Sequence, residues 1–80
     1  MAHVHIPGGL VDRTGGVDVV AIDASRVDEL LRALRSRFPL AADELESMAI
    51  AIDGCIYHQA DYEAIAPDSE IYFVPPMAGG

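Results

Sequence analysis

Side chains able to do chemistry are few in this chain: three histidines, one cysteine, and no lysine. His3 and His5 stand one residue apart in the alternating stretch AHVHIP, so a strand would present both imidazoles on one face, with His58 as a third potential metal ligand. No cysteine or acidic residue accompanies them at ligand spacing, and a metal needs three or four converging ligands, so no metal site is expected. Cys55 follows a turn signal, with neither a helix N-terminus nor a basic neighbour to stabilise a thiolate, and is expected to be an incidental, small apolar residue. Gly8-Gly9 and Gly15-Gly16 lack the lysine and following helix of a phosphate-binding loop and read as turns. With no nucleophile–base pair, carboxylate dyad or ligand cluster, catalysis by this chain alone is not expected.

The backbone of the last residues is the better candidate. In EIYFVPPMAGG, Glu70 to Gly80, Ile71 and Phe73 point one way from a strand and Tyr72 and Val74 the other, and both pairs are apolar. A single helix covers only one face of a sheet. The other face, with the small Ala49 and Ala51, is therefore expected to be flat and partly apolar, suited to a protein partner. Pro75 and Pro76 cannot donate to a ladder and hold the chain extended, which makes a stiff stalk. Beyond Met77, the tip Ala78, Gly79 and Gly80 has almost no side-chain volume and could thread a narrow channel in a partner. The bland alternative is a tail that merely frays.

Composition sets the context for that tail. Eighty residues allow one small domain with a thin core, and half the residues are apolar, as in a globular chain. Thirteen acidic residues against five arginines give a formal charge of −8. Phosphate backbones and anionic membrane surfaces would repel such a domain, so no nucleic-acid or membrane partner is expected, and a basic protein surface is the better one. A single cysteine cannot form an internal disulfide. The opening MAHVHIPGGLVD lacks a signal peptide's basic start and apolar run, and no stretch approaches the roughly 20 apolar residues of a membrane span. A cytoplasmic location is expected.

The elements that would position the tail are readable from periodicity. Val4 and Ile6 alternate against His3 and His5 in a first strand, and VDVVAID makes a second with Val20 and Ile22 inward, the two forming a hairpin. Ser25 with Asp28 resembles a capping box, after which Val27, Leu30, Leu31, Leu34 and Phe38 form a helical stripe that Pro39 ends. LAADELES reads as an acidic connection. MAIAID then sets Met48, Ile50 and Ile52 against Ala49 and Ala51; Asp53-Gly54 signals a tight hairpin into the short strand CIYH, and APDSE a turn before the final strand. The expected fold is α+β, a β-grasp of the ubiquitin-like kind: a single helix on a small mixed sheet, one domain over residues 1–80 with a flexible Gly-Gly tail.

On this pattern, DSEIYFVPPMAGG resembles the MoaD/ThiS family of ubiquitin-like sulfur carriers, and its PPMAGG is similar to the ending of molybdopterin synthase small subunits. The resemblance implies that Gly80 is adenylated on its carboxylate and then converted to a thiocarboxylate. An ionised carboxylate is a poor electrophile until it has a leaving group. The implied partners are an adenylating enzyme like the one that activates ubiquitin, a sulfur donor protein, and an acceptor enzyme such as the large subunit of molybdopterin synthase. ATP would be used by the adenylating partner, with no cofactor bound to the carrier. Tyr72, Val74, Pro75, Pro76 and Met77 are the expected partner-binding residues; Ala78, Gly79 and Gly80 enter the partner's channel. Thiazole or cysteine synthesis as the acceptor pathway, an inert-tailed interaction module, and a protein modifier joined through Gly80 remain alternatives.

Overall fold

A computed structural model describes residues 1–75 of the chain. Strand β1, Ala2–His5, alternates as its sequence requires: Ala2 and Val4 are fully buried while His3 faces outward. Strand β2, Val19–Ile22, runs antiparallel to it, with Val4 opposite Val20 and Ala2 opposite Ile22. Their connection is more ordered than a plain turn. After Pro7 the first glycine pair opens a 3-10 helix, Gly8–Thr14, pinned by buried Leu10 and Thr14, and the second pair reverses the chain with φ values of 74° and 90°. Those left-handed angles are why glycine stands at Gly15 and Gly16.

Helix α1, Val27–Arg37, buries Val27, Leu30 and Leu34 against the sheet, with Phe38 following as a buried C-cap. Its N-terminus differs from the expected capping box. Glu29, not Asp28, reaches back: its Oε1 accepts from the Ser25 backbone N–H and hydroxyl, each at 3.1 Å. Asp28 is engaged by the Arg26 guanidinium at 2.7 and 2.8 Å. The first free N–H groups of α1 are met by a distant segment, Val27 donating to the Glu63 carbonyl and Asp28 to that of Asp61. Carbonyls of the long loop before the last strand thus replace the expected cap, satisfying donors that a helix start leaves open.

LAADELES is not a connection but a second helix, α2, Ala42–Ser47. Its acidic residues conceal an apolar seam at helical spacing, since Ala41, Ala42 and Leu45 are all buried. Asp43 and Glu44 occupy the first turn, where the helix dipole favours carboxylates. The expectation of a single helix is corrected accordingly.

Strand β3, Ala49–Ile52, and strand β4, Cys55–Tyr57, form the hairpin that Asp53-Gly54 announces. Asp53 at φ 49° and Gly54 at φ 90° both take left-handed angles, as a type I′ turn demands. Strand β5, Glu70–Val74, runs antiparallel to β3 and parallel to β1, completing a five-stranded sheet in the order β2-β1-β5-β3-β4. The last strand is therefore the central one. Ile71 and Phe73 point into the core with Val4, Val20, Ile50 and Ile52. The molecule is only 17 Å through its thinnest dimension, one helical layer on one sheet.

Candidate functional site

The second face of the sheet carries the candidate site. The strand registers align one residue from each strand in a row across that face: Val19, His5, Tyr72, Ala51 and Ile56. Val19, Tyr72 and Ile56 are 47%, 49% and 57% exposed, high values for large apolar side chains at the two edges and the centre of a sheet. Ala51, expected to be part of an open flat surface, is instead nearly buried, since its single methyl lies between the larger Tyr72 and Ile56 on either side. The His5 imidazole stacks flat on the Tyr72 ring, centroids 4.1 Å apart and planes within 4°. That contact fixes the orientation of the central aromatic ring.

The two ends of the face along β5 differ. At the end where the chain leaves the sheet, half-buried Val74 lies opposite half-buried Ala49, and Pro75 is exposed. At the other end His3 Nδ1 lies 2.6 Å from Glu70 Oε2, and His5 Nε2 lies 2.8 Å from Glu70 Oε1. One carboxylate thus bridges both imidazoles. Hydrogen bonds from His5 and then His3 hold the Glu70 carboxyl below the usual carboxylate range. Next to it, Asp53 accepts from the Glu70 backbone N–H and the Ser69 hydroxyl, each at 2.8 Å, and these bonds lower its pKa likewise.

The remaining reactive residues do not converge. His3 and His5 are engaged with Glu70, while His58 lies past β4 beside Gln59, Asp61 and Tyr62. Among the described residues no group of three histidine, cysteine or acidic side chains could hold a metal ion. Cys55 is exposed at the start of β4, opposite Ile52. Among the described residues no helix is long and apolar enough to cross a membrane.

Of the expected partner-binding residues, Tyr72 and Val74 lie on the open face, and exposed Pro75 follows directly after the end of β5. Pro76, Met77, Ala78, Gly79 and Gly80 lie outside the described residues. Three contributors to the face escaped sequence reasoning. Val19 and Ile56 were legible in principle, because each is the out-of-phase apolar residue of its strand. Glu70 was not, because its histidine partners are 65 and 67 residues away and meet it only through the β1–β5 pairing.

Comparison with known proteins bears on both fold and family. The ThiS family matches residues 4–80, nearly the whole chain. The fold is shared with solved structures across their full length. CysO in the Amycolatopsis orientalis BexX/CysO complex is 20% identical, with a TM-score of 0.84 and 100% of both chains covered. CysO of Mycobacterium tuberculosis, described as an antigen, is 17% identical at a TM-score of 0.84, covering 96% of this chain and 100% of that one. SAMP1 from Haloferax volcanii is 19% identical at 0.74, covering 99% and 98%. No curated protein sequence matches the chain.

Proposed function

From the premise that the chain belongs to the ThiS family of ubiquitin-like sulfur carriers, we propose that Gly80 carries sulfur as a thiocarboxylate, in the branch that makes molybdopterin. The observation that carries this reading is the position of β5. The central strand of the sheet presents Tyr72 and Val74 outward and leads through Pro75 directly into PMAGG. Among the described residues, the strand that leads into the tail thus lies in a partly apolar face that a partner can grip while it works on the tip.

The chemistry asks little of the carrier's side chains. The Gly80 carboxylate attacks the α-phosphorus of ATP on an adenylating enzyme, pyrophosphate leaves, and the carboxyl carbon gains AMP as a leaving group. Hydrosulfide, or the terminal sulfur of a donor persulfide, then attacks the carboxyl carbon and expels AMP; in the second case a thiol cleaves the resulting acyl disulfide, and the thiocarboxylate is freed. Ala78, Gly79 and Gly80 lack bulk, so the sulfur can approach a substrate deep in an acceptor enzyme, and the prolines keep the approach extended. Tyr72, Val74, Pro75, Pro76 and Met77 form the grip. The Pro-Pro pair before Met-Ala-Gly-Gly supports the molybdopterin branch over thiazole or cysteine synthesis.

The test has two parts. Tail peptides of the protein taken from its own cell are fragmented to read the state of Gly80, and stable partners are captured through an N-terminal tag that leaves Gly80 free. A thiocarboxylate together with a pterin-processing partner is expected. A thiocarboxylate with a thiazole- or cysteine-forming partner would move the branch, and an amide to another protein would replace carrier with modifier.

A further inference from the structure

The five strongly basic side chains of the chain are all arginines: Arg13 in the 3-10 helix, Arg26 at the N-cap of α1, and Arg32, Arg35 and Arg37 within α1. Two of them use the guanidinium fork. Arg26 donates to both oxygens of Asp28 at 2.7 and 2.8 Å, and Arg35 makes three hydrogen bonds to Asp43 and Glu46 at 2.6 to 3.0 Å. A lysine ammonium copies neither arrangement. The other three use charge alone. Arg13 meets Glu44 through one nitrogen, Arg32 is 72% exposed with its nearest carboxylate oxygen 4.0 Å away, and Arg37 lies over the Phe38 ring at 5.7 Å. A lysine supplies the same charge and the same cation–π contact, and exposed pairs of this kind contribute little to stability. Folding therefore accounts for arginine at Arg26 and Arg35 and leaves the choice at Arg13, Arg32 and Arg37 unexplained.

We propose that the arginine-only surface protects the activated tail, because every lysine ε-amine on this domain would be an acceptor that consumes the Gly80 acyl adenylate. The inference rests on the carrier reading and concerns what competes with sulfur there. In the side reaction a neutral ε-amine attacks the carboxyl carbon, a C–N bond forms, the bond to the AMP oxygen breaks, and the nitrogen loses its proton to water. The amide that results no longer accepts sulfur. Lysine has a pKa of about 10.4, so about one in a thousand is neutral near pH 7.4, whereas the neutral form of a guanidinium is roughly a hundredfold scarcer or more. The six residues Pro75 to Gly80 span at most about 20 Å beyond β5, against a domain of 30 × 29 × 17 Å, so the tip is long enough to meet much of its own domain. An acceptor within reach of such a tether is met at an effective concentration in the millimolar range. The exposed thiol of Cys55 is no such trap, because hydrosulfide displaces the thiolate of a thioester and leaves the thiocarboxylate.

The experiment incubates the full chain with the adenylating enzyme of its own cell and ATP, with no sulfur source. The unaltered carrier is compared with a triple variant, Arg13→Lys, Arg32→Lys and Arg37→Lys together, which keeps the net charge and leaves both forked arginines in place. Thermal melts establish that the variant is folded, and exchange of pyrophosphate into ATP establishes that each carrier is adenylated. Peptide fragmentation then counts Gly80 carboxyls joined by an amide to a carrier chain. The variant is expected to carry about tenfold more of these links than the unaltered chain, at its substituted positions. Reductive dimethylation of the variant before mixing is expected to remove the excess, since a tertiary amine keeps its charge and cannot form an amide. No excess at equal exchange, or an excess that survives dimethylation, would overturn the proposal and leave the carrier reading standing. Absence of exchange with the unaltered carrier would remove both.

Discussion

The two faces of the sheet are made from the same strands and do opposite things. Toward the helices, Val4, Val20, Ile50, Ile52, Ile71 and Phe73 are all under 10% exposed and meet Leu30, Leu34 and Leu45. On the far side, Val19, Tyr72 and Ile56 stay about half exposed and no helix covers them. Alternation alone produces both faces, since neighbouring residues on a strand point in opposite directions. Polar outward residues would have made the second face inert; apolar ones leave an unfinished core, which a partner can complete. On the helical surface, by contrast, four carboxylates meet arginines.

Substitutions that affect one face and spare the other probe that division. Phe73→Ala is expected to destabilise the domain by about 3 kcal/mol through a cavity in the core, read as a lower denaturation midpoint. Tyr72→Ala on the same strand is expected to cost well under half of that while weakening capture of the adenylating partner by more than tenfold, as loss of a central aromatic anchor does. A reversed outcome would mean that the faces have been exchanged.

Smaller effects separate the two ends of α1. Ser25→Ala removes one donor from Glu29, and a loss of about 1 kcal/mol is expected, as for other helix caps. Disruption of the exposed Arg35 pairs by Arg35→Gln is expected to leave the midpoint of a urea titration little changed.

Acid acts on the far end of the open face. Glu70 and Asp53 both have folded pKa values below their ordinary ones, because His5 and His3 donate to the first and the Glu70 N–H and Ser69 to the second. The stability they contribute is therefore fully present above the ordinary carboxylate range, about pH 4 to 5, and is lost as pH falls through the folded values. Glu70→Gln should lower the melting temperature near pH 7 and converge with the unaltered protein in acid, which flattens the acid limb of a stability–pH curve. An acid limb identical to that of the unaltered protein would show that the imidazole bridge does not persist in solution.

Local pattern made much of this fold legible. The inward sets Val4/Ile6, Val20/Ile22 and Ile71/Phe73, the stripe of α1 and the Asp53-Gly54 turn each depend on neighbours in sequence, and each stands where alternation or helical spacing put it. What escaped depends on contacts remote in the chain. Helix α2 needs α1 beside it to bury Leu45, and its acidic residues mask the seam in a short window. The start of α1 takes its cap from Glu29 and from the carbonyls of Asp61 and Glu63, more than thirty residues on. Glu70 became part of the site only once β1 and β5 were seen to be parallel neighbours. Tyr72 and Val74 were legible as outward apolar residues because an alternating strand with two apolar faces has nowhere else to put them.

The most direct test of the carrier account adds one residue after Gly80. Unaltered and extended proteins are incubated with the adenylating enzyme, ATP and a sulfur source, and the tail peptide is then fragmented. Fragmentation is needed because exchange of oxygen for sulfur is nominally isobaric with oxidation of one of the three methionines. The unaltered chain should acquire its sulfur at Gly80. The extended chain should acquire none while melting at the same temperature, since its Gly80 carbonyl is an amide and its new carboxylate is misplaced for reaction. Efficient thiocarboxylate formation on the extended tail without prior cleavage would contradict the account.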